Sequence, residues 1–269
     1  MTLRAQALDF GYPGRVIGRG LDLTLEDGEV LCVLGPNGTG KTTLFRTLLG
    51  LLPAIGGRLT IGDRDLATLS RPQIARELAY VPQASSSYFD FSLAEMVEMG
   101  RTAHLGTFAR PSARDREIAR SALDRMGIAQ LADHPVSGVS GGERQLALIA
   151  RALATEARAI VMDEPTANLD FGNQARVLSE IARLRDSGIA VLLCTHDPDH
   201  AFLLADRALL LQGGAALAIG AARATLTEAN LSRLYGVDVR VAEVGSPGAA
   251  RSVAVPYSPS QVKPSAERQ

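Results

Sequence analysis

A chain of 269 residues is long enough for one large α/β domain, or for one domain with an inserted lobe. Its hydrophobic fraction of 46% indicates a globular protein with an ample core, and a net charge of −1 gives no sign of the basic excess typical of nucleic-acid-binding proteins. We expect no secretory signal, because the N-terminus has no apolar h-region, and no membrane span, since no run approaches about 18 apolar residues. Cys32 and Cys194 lie in apolar strand-like runs, which predicts buried thiols in a reducing cytoplasm.

Three segments in the first third of the chain predict an antiparallel sheet. Residues 2–10, 20–25 and 58–62 are short alternating or apolar runs separated by glycine-containing turns, the pattern of half-buried strands. Between the last two lies the apolar run Val30–Leu34, which predicts a fully buried strand.

A glycine-rich segment follows this buried strand and leads into a helix-forming run at residues 43–49; it reads Gly35-Pro36-Asn37-Gly38-Thr39-Gly40-Lys41-Thr42. The pattern G-x-x-x-x-G-K-[ST] between a strand and a helix predicts a phosphate-binding loop, whose backbone N–H groups close around phosphate oxygens. Lys41 is expected to reach the β- and γ-phosphates, and Thr42 to ligate Mg²⁺. Lys41 and Lys263 are the sole lysines of an otherwise arginine-using chain, which favours a specific role for Lys41.

The middle of the chain predicts helices. Capping boxes at residues 70–73 and 92–95 indicate two helix starts, and a further helix begins near Pro111. Residues from about 84 to about 139 therefore form a helical block. Together with the helix after it, this block predicts an inserted helical lobe over about residues 84–155.

The second half returns to the α/β pattern. Continuous apolar runs at residues 159–162 and 189–194 predict parallel strands covered on both faces, joined by a helix over residues 174–185. A hairpin is predicted to turn at Gly213-Gly214. Residues 245–269 are rich in Ser, Pro and Gly without periodicity, so we expect a disordered tail.

Two adjacent acids follow the strand at residues 159–162. Asp163 stands where a carboxylate would hold Mg²⁺ beside the phosphate loop, and Glu164 is then placed to polarise a water for attack on the γ-phosphate. The alternative, a solvated turn, does not account for the phosphate loop upstream.

A second glycine-containing segment, at residues 139–145, supports two compatible interpretations. Ser140 and Glu143 predict a capping box that starts a helix with an apolar face. Gly141 and Gly142 in its first turn cost helix stability but let a phosphate approach the exposed N–H groups. A well-capped helix start is also an anion site.

Together and in this order, these motifs make the chain resemble the ATP-binding subunit of an ABC transporter over about residues 2–240. The resemblance implies the ABC ATPase fold: an α/β P-loop NTPase core with a parallel sheet, an N-terminal antiparallel β subdomain and an inserted helical subdomain. It also implies the roles of individual residues. ATP is expected to contact Tyr12 (stacked on adenine), the Walker A residues Gly35, Pro36, Asn37, Gly38, Thr39, Gly40, Lys41, Thr42 and Thr43, the signature residues Ser140, Gly141, Gly142 and Glu143, and Asp170 of the D-loop. Mg²⁺ is expected at Thr42, Asp163 and the Q-loop residue Gln83, and catalysis at Glu164, the switch histidine His196, and Gln83.

Two residues depart from the family pattern. Val139 replaces the usual leucine and Glu143 the usual glutamine. Neither residue type is needed to bind phosphate through Ser140 and Gly142, so activity is still expected.

The resemblance further implies partners and a location. We expect a head-to-tail homodimer that sandwiches ATP, an integral membrane permease, usually in two copies, and, indirectly, an extracytoplasmic substrate-binding protein, but no nucleic acid. The subunit would lie at the cytoplasmic face of the inner membrane as a peripheral protein. Residues 97–105, 107–111 and 169–174 resemble the metal-chelate (type II importer) subgroup. Iron–siderophore is the first cargo hypothesis, with molybdate or tungstate, haem and cobalamin as alternatives.

The sequence disfavours three other functions. A non-transport ABC ATPase of DNA repair or chromosome organisation would carry a long insertion before the signature, but the gap here is about 100 residues without heptads or a cysteine cluster. Translation-type members usually carry two ATPase domains. A small-molecule kinase would not explain residues 140–143. A metal cluster of His196, His200, Asp197 and Asp199 is disfavoured, since Pro198 interrupts helical spacing.

Overall fold

The computed structural model describes residues 2–83, 91–106, 109–246 and 250–257. Its strands, in chain order, are β1 (Leu3–Tyr12), β2 (Arg15–Leu25), β3 (Val30–Leu34), β4 (Gly56–Ile61), β5 (Arg64–Asp65), β6 (Leu78–Val81), β7 (Ala159–Asp163), β8 (Ala190–Thr195), β9 (Arg207–Gln212), β10 (Ala215–Ala221), β11 (Val239–Val244) and β12 (Arg251–Pro256). Its α-helices are α1 (Lys41–Leu48), α2 (Arg71–Glu77), α3 (Leu93–Glu98), α4 (Ala113–Arg125), α5 (Gly141–Ala154), α6 (Phe171–Asp186), α7 (Pro198–Leu204), α8 (Ala222–Thr225) and α9 (Glu228–Tyr235).

A six-stranded sheet in the order β10-β9-β3-β8-β7-β6 forms the centre of the molecule. All of its pairings are parallel except the hairpin of β9 and β10. Every residue of β3, β7 and β8 is buried, because both faces of the sheet are covered. Alternate residues point to two different cores: Cys32 and Leu34 to one, Leu31 and Val33 to the other. The α/β class with a parallel sheet is confirmed.

A second, four-stranded antiparallel sheet has the order β2-β1-β4-β5. Its inward residues, such as Leu3, Leu21 and Leu59, share a hydrophobic core with α1 and one face of the central sheet. This sheet is the expected antiparallel β subdomain.

In the chain, helices α3, α4 and α5 come between β6 and β7, and they pack on one another. Leu93, Leu123 and Leu146 are fully buried between them. Arg101 is buried beside them, and its guanidinium donates to Asp115 Oδ1 at 2.9 Å and to the Ala154 carbonyl at 2.7 Å. No helix in the described part of the chain combines the length and the apolar character needed to cross a bilayer.

The C-terminal part differs from expectation. Residues 251–256, assigned above to a disordered tail, form β12 and pair antiparallel with β11, with Val241 opposite Ala254 and Ala242 opposite Val253. The stretch Val253-Ala254-Val255 is an apolar run in a segment otherwise rich in Ser and Pro, and composition alone concealed it. The expectation of disorder is therefore wrong for this stretch, and residues 258–269 lie outside the described part. Two other stretches discussed above also lie outside the described part: residues 84–90, at the start of the predicted helical lobe, and residues 107 and 108.

Candidate functional site

The glycine-rich loop connects the C-terminal end of β3 to the first residue of α1. Gly38 and Gly40 have φ angles of 81° and 98°, a backbone conformation that favours glycine. At Gly40 a side chain would also collide with Ile17, since an added Cβ would lie 2.6 Å from Ile17 Cγ2. The Thr39 hydroxyl donates to the Pro36 carbonyl at 2.9 Å and ties the loop across itself. The loop thus brings the N–H groups at the start of α1 to its concave side, where an anion is favoured.

Lys41 is only 6% exposed, although it is a lysine. Its ammonium donates to the carbonyls of Gly35 at 2.6 Å and Pro36 at 3.0 Å, and lies 3.9 Å from Glu164 Oε1. The charge is therefore fixed inside the loop rather than extended into solvent.

Asp163 is the last residue of strand β7, and Glu164 follows it next to this lysine. Asp163 is 5% exposed; burial raises the pKa of its carboxyl, while hydrogen bonds with Thr42 and Cys194 oppose that shift. Glu164 has a φ of 48°, a left-handed conformation that costs a non-glycine residue about 1–3 kcal/mol. Its N–H donates to the Cys194 carbonyl of β8 at 3.1 Å. The neighbouring strand thus holds Glu164 in a strained turn, which turns its carboxylate toward Lys41.

The residues around Asp163 fit a magnesium ion. The Thr42 hydroxyl and the Asp163 carboxylate are in contact and are hard oxygen donors, as Mg²⁺ prefers. In the part of the chain that the structure describes, no group of three His, Cys, Asp or Glu side chains could hold a metal ion. A magnesium site beside a nucleotide needs only one carboxylate and completes its shell with phosphates and water.

His196 follows β8, and its side chain is 58% exposed. The Nδ1 atom lies 3.3 Å from Glu164 Oε2, so both carboxylate oxygens of Glu164 have a neighbour that can carry positive charge. His200 is different: it is buried, its Nδ1 lies 3.3 Å from Thr195 Oγ1 and 3.4 Å from Thr166 Oγ1, and burial lowers its pKa. His200 therefore packs beneath the loop that carries His196.

The signature segment starts helix α5 as predicted. Ser140 and Glu143 form the capping box, with the Ser140 N–H 2.9 Å and its hydroxyl 2.7 Å from Glu143 Oε2. These hydrogen bonds lower the pKa of Glu143. Gly142 lies against Asn173 of α6, where an added Cβ would come within 2.1 Å of Asn173 Oδ1.

Asp170 caps helix α6. Its carboxylate accepts from the Asn173 backbone N–H at 2.8 Å and from the Asn173 side chain at 2.9 Å. The next residue, Phe171, is 85% exposed. Asn173 thus joins the signature helix to the D-loop; sequence reasoning missed it, because its only local signal is a polar residue three positions after a helix N-cap.

The structure brings together five of the predicted residues: Lys41, Thr42, Asp163, Glu164 and His196. They meet because parallel strands β3, β7 and β8 end at the same edge of the sheet. Two others lie exposed at strand ends: Tyr12 closes β1, and Gln83 follows β6. Ser140, Gly142 and Asp170 form a separate group around Asn173.

A phosphate loop, a strand-end aspartate and a glutamate between a lysine and a histidine define a P-loop ATPase. Comparison with known proteins identifies the family within this class. The family model described as "ABC transporter" matches residues 19–167, and the chain belongs to this family. It is the ATP-hydrolysing component, and its activity is coupled to transport.

Individual relatives agree with this assignment. A hemin import ATP-binding protein of Pseudomonas fluorescens is 39% identical over 90% of this chain and 95% of its own length. A molybdate import ATP-binding protein of Haemophilus influenzae is 38% identical over 87% of this chain and 88% of its own. A solved structure described as a metal-chelate type ABC transporter in an inward-facing conformation superposes with a TM-score of 0.86 at 33% identity, over 97% of this chain and 99% of that one. The predicted ABC ATPase fold is therefore confirmed.

Proposed function

We propose that this chain hydrolyses ATP to power uptake of a metal chelate through a partner permease, with iron–siderophore as the first candidate cargo. The haem relative supports an iron chelate, and the metal-chelate structural neighbour supports the wider cargo class. Haem, cobalamin and molybdate or tungstate are the alternative cargoes, the last supported by the molybdate relative. The observation that carries the proposal is the placement of Glu164 between Lys41 and His196.

The proposed mechanism assigns one task to each residue at the sheet edge. Lys41 and the N–H groups of the glycine-rich loop bind the β- and γ-phosphates. Thr42 and Asp163, with Gln83, would hold Mg²⁺, which supplies charge neutralisation on the phosphates when it is bound. Glu164 accepts a hydrogen bond from the attacking water and polarises it. His196 contacts the γ-phosphate and, from 3.3 Å, keeps the Glu164 carboxylate oriented.

A homodimer completes the proposed site. The group around Asn173 presents Ser140 and the N–H groups of Gly141 and Gly142 at the start of α5, a favourable anion site. Two copies paired head to tail would place this helix start against the ATP of the partner. Tyr12, 39% exposed at the end of β1, would stack on adenine. ATP then holds the two copies together, and hydrolysis releases them.

The proposed permease contact is a groove between α2, the segment Met99–His104 and α5. It is lined by Pro72, Tyr80, Met99, Ala103 and Ala152. Met99 is 41% exposed although it is a large apolar residue. Gln83 follows β6, which carries Tyr80, so a cytoplasmic segment of a permease seated here would lie near the magnesium site. The subunit would then be peripheral at the cytoplasmic face of the membrane, and a substrate-binding protein would act on the other side.

The proposal is tested with tagged Glu164→Gln, which keeps the shape of the side chain but cannot polarise water as a carboxylate does. We expect it to bind ATP, to form a stable dimer with ATP and Mg²⁺, and to lose turnover. Lys41→Ala is the control, since it should lose nucleotide binding in a titration with a fluorescent ATP analogue. Wild-type turnover in Glu164→Gln would refute the role of Glu164.

The same variant identifies the partner when it is recovered from detergent-solubilised membranes with ATP and Mg²⁺. A co-purifying permease with roughly ten spans of about 20 apolar residues supports the metal-chelate importer type, and its cargo can then be tested with iron–siderophore, haem, cobalamin and molybdate. A permease with fewer spans keeps transport but changes the cargo class. Recovery of ribosomes or DNA without a membrane protein would refute the importer and support the non-transport alternative.

A further inference from the structure

The C-terminal part of the chain contacts the loop that carries His196. Tyr235, the last residue of α9, donates its hydroxyl proton to the His196 carbonyl at 2.9 Å. Three residues further on, Asp199 Oδ1 accepts a hydrogen bond from the Ala254 N–H of β12 at 2.7 Å. Residues 196–199 are therefore held at both ends by elements that lie far away in sequence.

Tyr235 stands on a firmly anchored helix. Its neighbours Leu231 and Leu234 are buried in the core. Gly236 ends the helix with a φ of 70°, as the left-handed C-cap requires. The first turn of the same helix is tied to β11, because the Glu228 carboxylate accepts from the Val241 N–H at 2.9 Å. The Tyr235 hydroxyl is therefore fixed in space, and burial raises its pKa, so it remains a hydrogen-bond donor.

His196 needs such a support. Its side chain is largely exposed, so core packing does not fix its ring. Its backbone follows the last paired residue of β8, Thr195, and precedes Asp197, the N-cap of α7. A hydrogen bond to the His196 carbonyl fixes the peptide plane between residues 196 and 197 and hence the ψ angle of His196. With ψ fixed, the two side-chain torsions remain to bring Nδ1 to Glu164.

We propose that Tyr235 is a positioning residue for His196, acting through the His196 carbonyl to keep the imidazole beside Glu164 and the γ-phosphate. This inference rests on the proposed role of His196. It assigns the C-terminal elements, which lie outside the family match at residues 19–167, a part in ATP hydrolysis. The step affected is hydrolysis and not ATP binding, because Tyr235 contacts neither Lys41 nor the glycine-rich loop through this hydrogen bond.

The test compares Tyr235→Phe with Tyr257→Phe in the full chain. Both changes remove one hydroxyl and keep the ring; Tyr257 directly follows β12, and its ring lies 5.6 Å from the guanidinium of Arg240 on β11. We expect Tyr235→Phe to lower kcat about 2- to 10-fold, the effect of one hydrogen bond, with KM for ATP unchanged. Tyr257→Phe should leave both constants unchanged. A rise in KM in place of the fall in kcat, or equal effects of the two variants, would overturn the proposal.

The same substitution made in a His196→Ala variant distinguishes a failure of this inference from a failure of the proposed function. In His196→Ala, a further Tyr235→Phe change should have no effect, because the group that it positions is gone. If His196→Ala loses turnover while Tyr235→Phe does not, the proposed function stands and the positioning role fails. If His196→Ala keeps wild-type turnover, the role of His196 itself fails.

Histidine ring NMR gives an independent readout. The chain has four histidines, so their ring signals can be assigned by substitution. Tyr235→Phe should shift or broaden the His196 ring signal and leave that of His104 unchanged. An unchanged His196 signal in a folded Tyr235→Phe protein would overturn the proposal.

Discussion

Gly142 shows why a glycine is needed where the signature helix starts. An added Cβ would lie 2.1 Å from Asn173 Oδ1, and Asn173 is itself bonded to Asp170. At the adjacent Gly141, an added Cβ would make an ordinary contact of 3.5 Å with Leu169. Packing therefore requires a glycine at position 142 but leaves room for a larger residue at position 141.

This difference predicts opposite outcomes for two alanine variants. Gly142→Ala should destabilise the fold by about 1–3 kcal/mol through overpacking and lower ATPase activity, because it pushes Asn173 away from Asp170. Gly141→Ala should keep wild-type stability or gain slightly, since alanine favours helix. Urea unfolding and ATPase assays measure both effects. Equal stability of the two variants would contradict the close packing of Gly142 on Asn173.

Among individual residues, those whose type is set by a ligand could be predicted from the sequence. Those that matter through contacts formed on folding could not. Lys41 and Asp163 could be proposed as site residues from the sequence, because phosphate and magnesium binding favour those residue types beside a glycine-rich loop and a strand end. Asn173 and Tyr235 could not, because an amide and a phenol serve many roles. The roles proposed for them rest on contacts with residues 31 and 39 positions away, namely Gly142 and His196.

The α-helices of the inserted lobe, α3, α4 and α5, each begin with a capping box. Ser92, Ser112 and Ser140 each cap a helix whose N3 residue is acidic and bonds back to the serine. Hydrogen bonds with these serines lower the pKa of Glu95, Asp115 and Glu143 below their ordinary values. A carboxylate with a lowered folded-state pKa stabilises the fold fully above its unfolded pKa, and this stabilisation is lost as the pH falls.

The lobe should therefore be sensitive to acid. The melting temperature of the wild type should fall steeply as the pH drops below the ordinary glutamate value of 4.5. Glu95→Gln with Glu143→Gln keeps both capping boxes but removes two titrating groups, so its melting temperature should fall less steeply. Glu117→Gln with Asp133→Asn, at exposed positions outside the caps, is the matched control. Parallel melting curves for the capping variant and the wild type would contradict the prediction.

Element boundaries show the same division between local and distant causes. The capping boxes at Ser92 and Ser140 were predictable because their hydrogen bonds span three residues. Strand β12 was not, because a six-residue strand in a polar segment acquires its identity from pairing with β11 and from the bond of Ala254 to Asp199. The local apolar run at residues 253–255 does not by itself indicate which strand it pairs with.

For the whole molecule, the class of fold could be predicted but the strand order could not. Buried apolar runs alternating with helices indicate a parallel sheet. The order β10-β9-β3-β8-β7-β6 depends on which strands pair with each other when the two hydrophobic cores form on the two faces of the sheet. That order builds the candidate site, because β8 lies between β7 and β3, so that Glu164, His196 and Lys41 converge.

Phe171 offers a way to observe the whole assembly with light. The chain contains no tryptophan, and Phe171 projects into solvent directly after the D-loop. Phe171→Trp therefore creates a single tryptophan, which can be excited separately from the five tyrosines, at a surface that the proposed head-to-tail dimer would cover. In a Glu164→Gln background, ATP with Mg²⁺ should shift its emission to shorter wavelength, and ADP should not. An emission maximum that stays unchanged at protein concentrations where the dimer forms would place Phe171 outside the contact. In a chain that keeps Glu164, the same tryptophan would then report each cycle of association and release in real time.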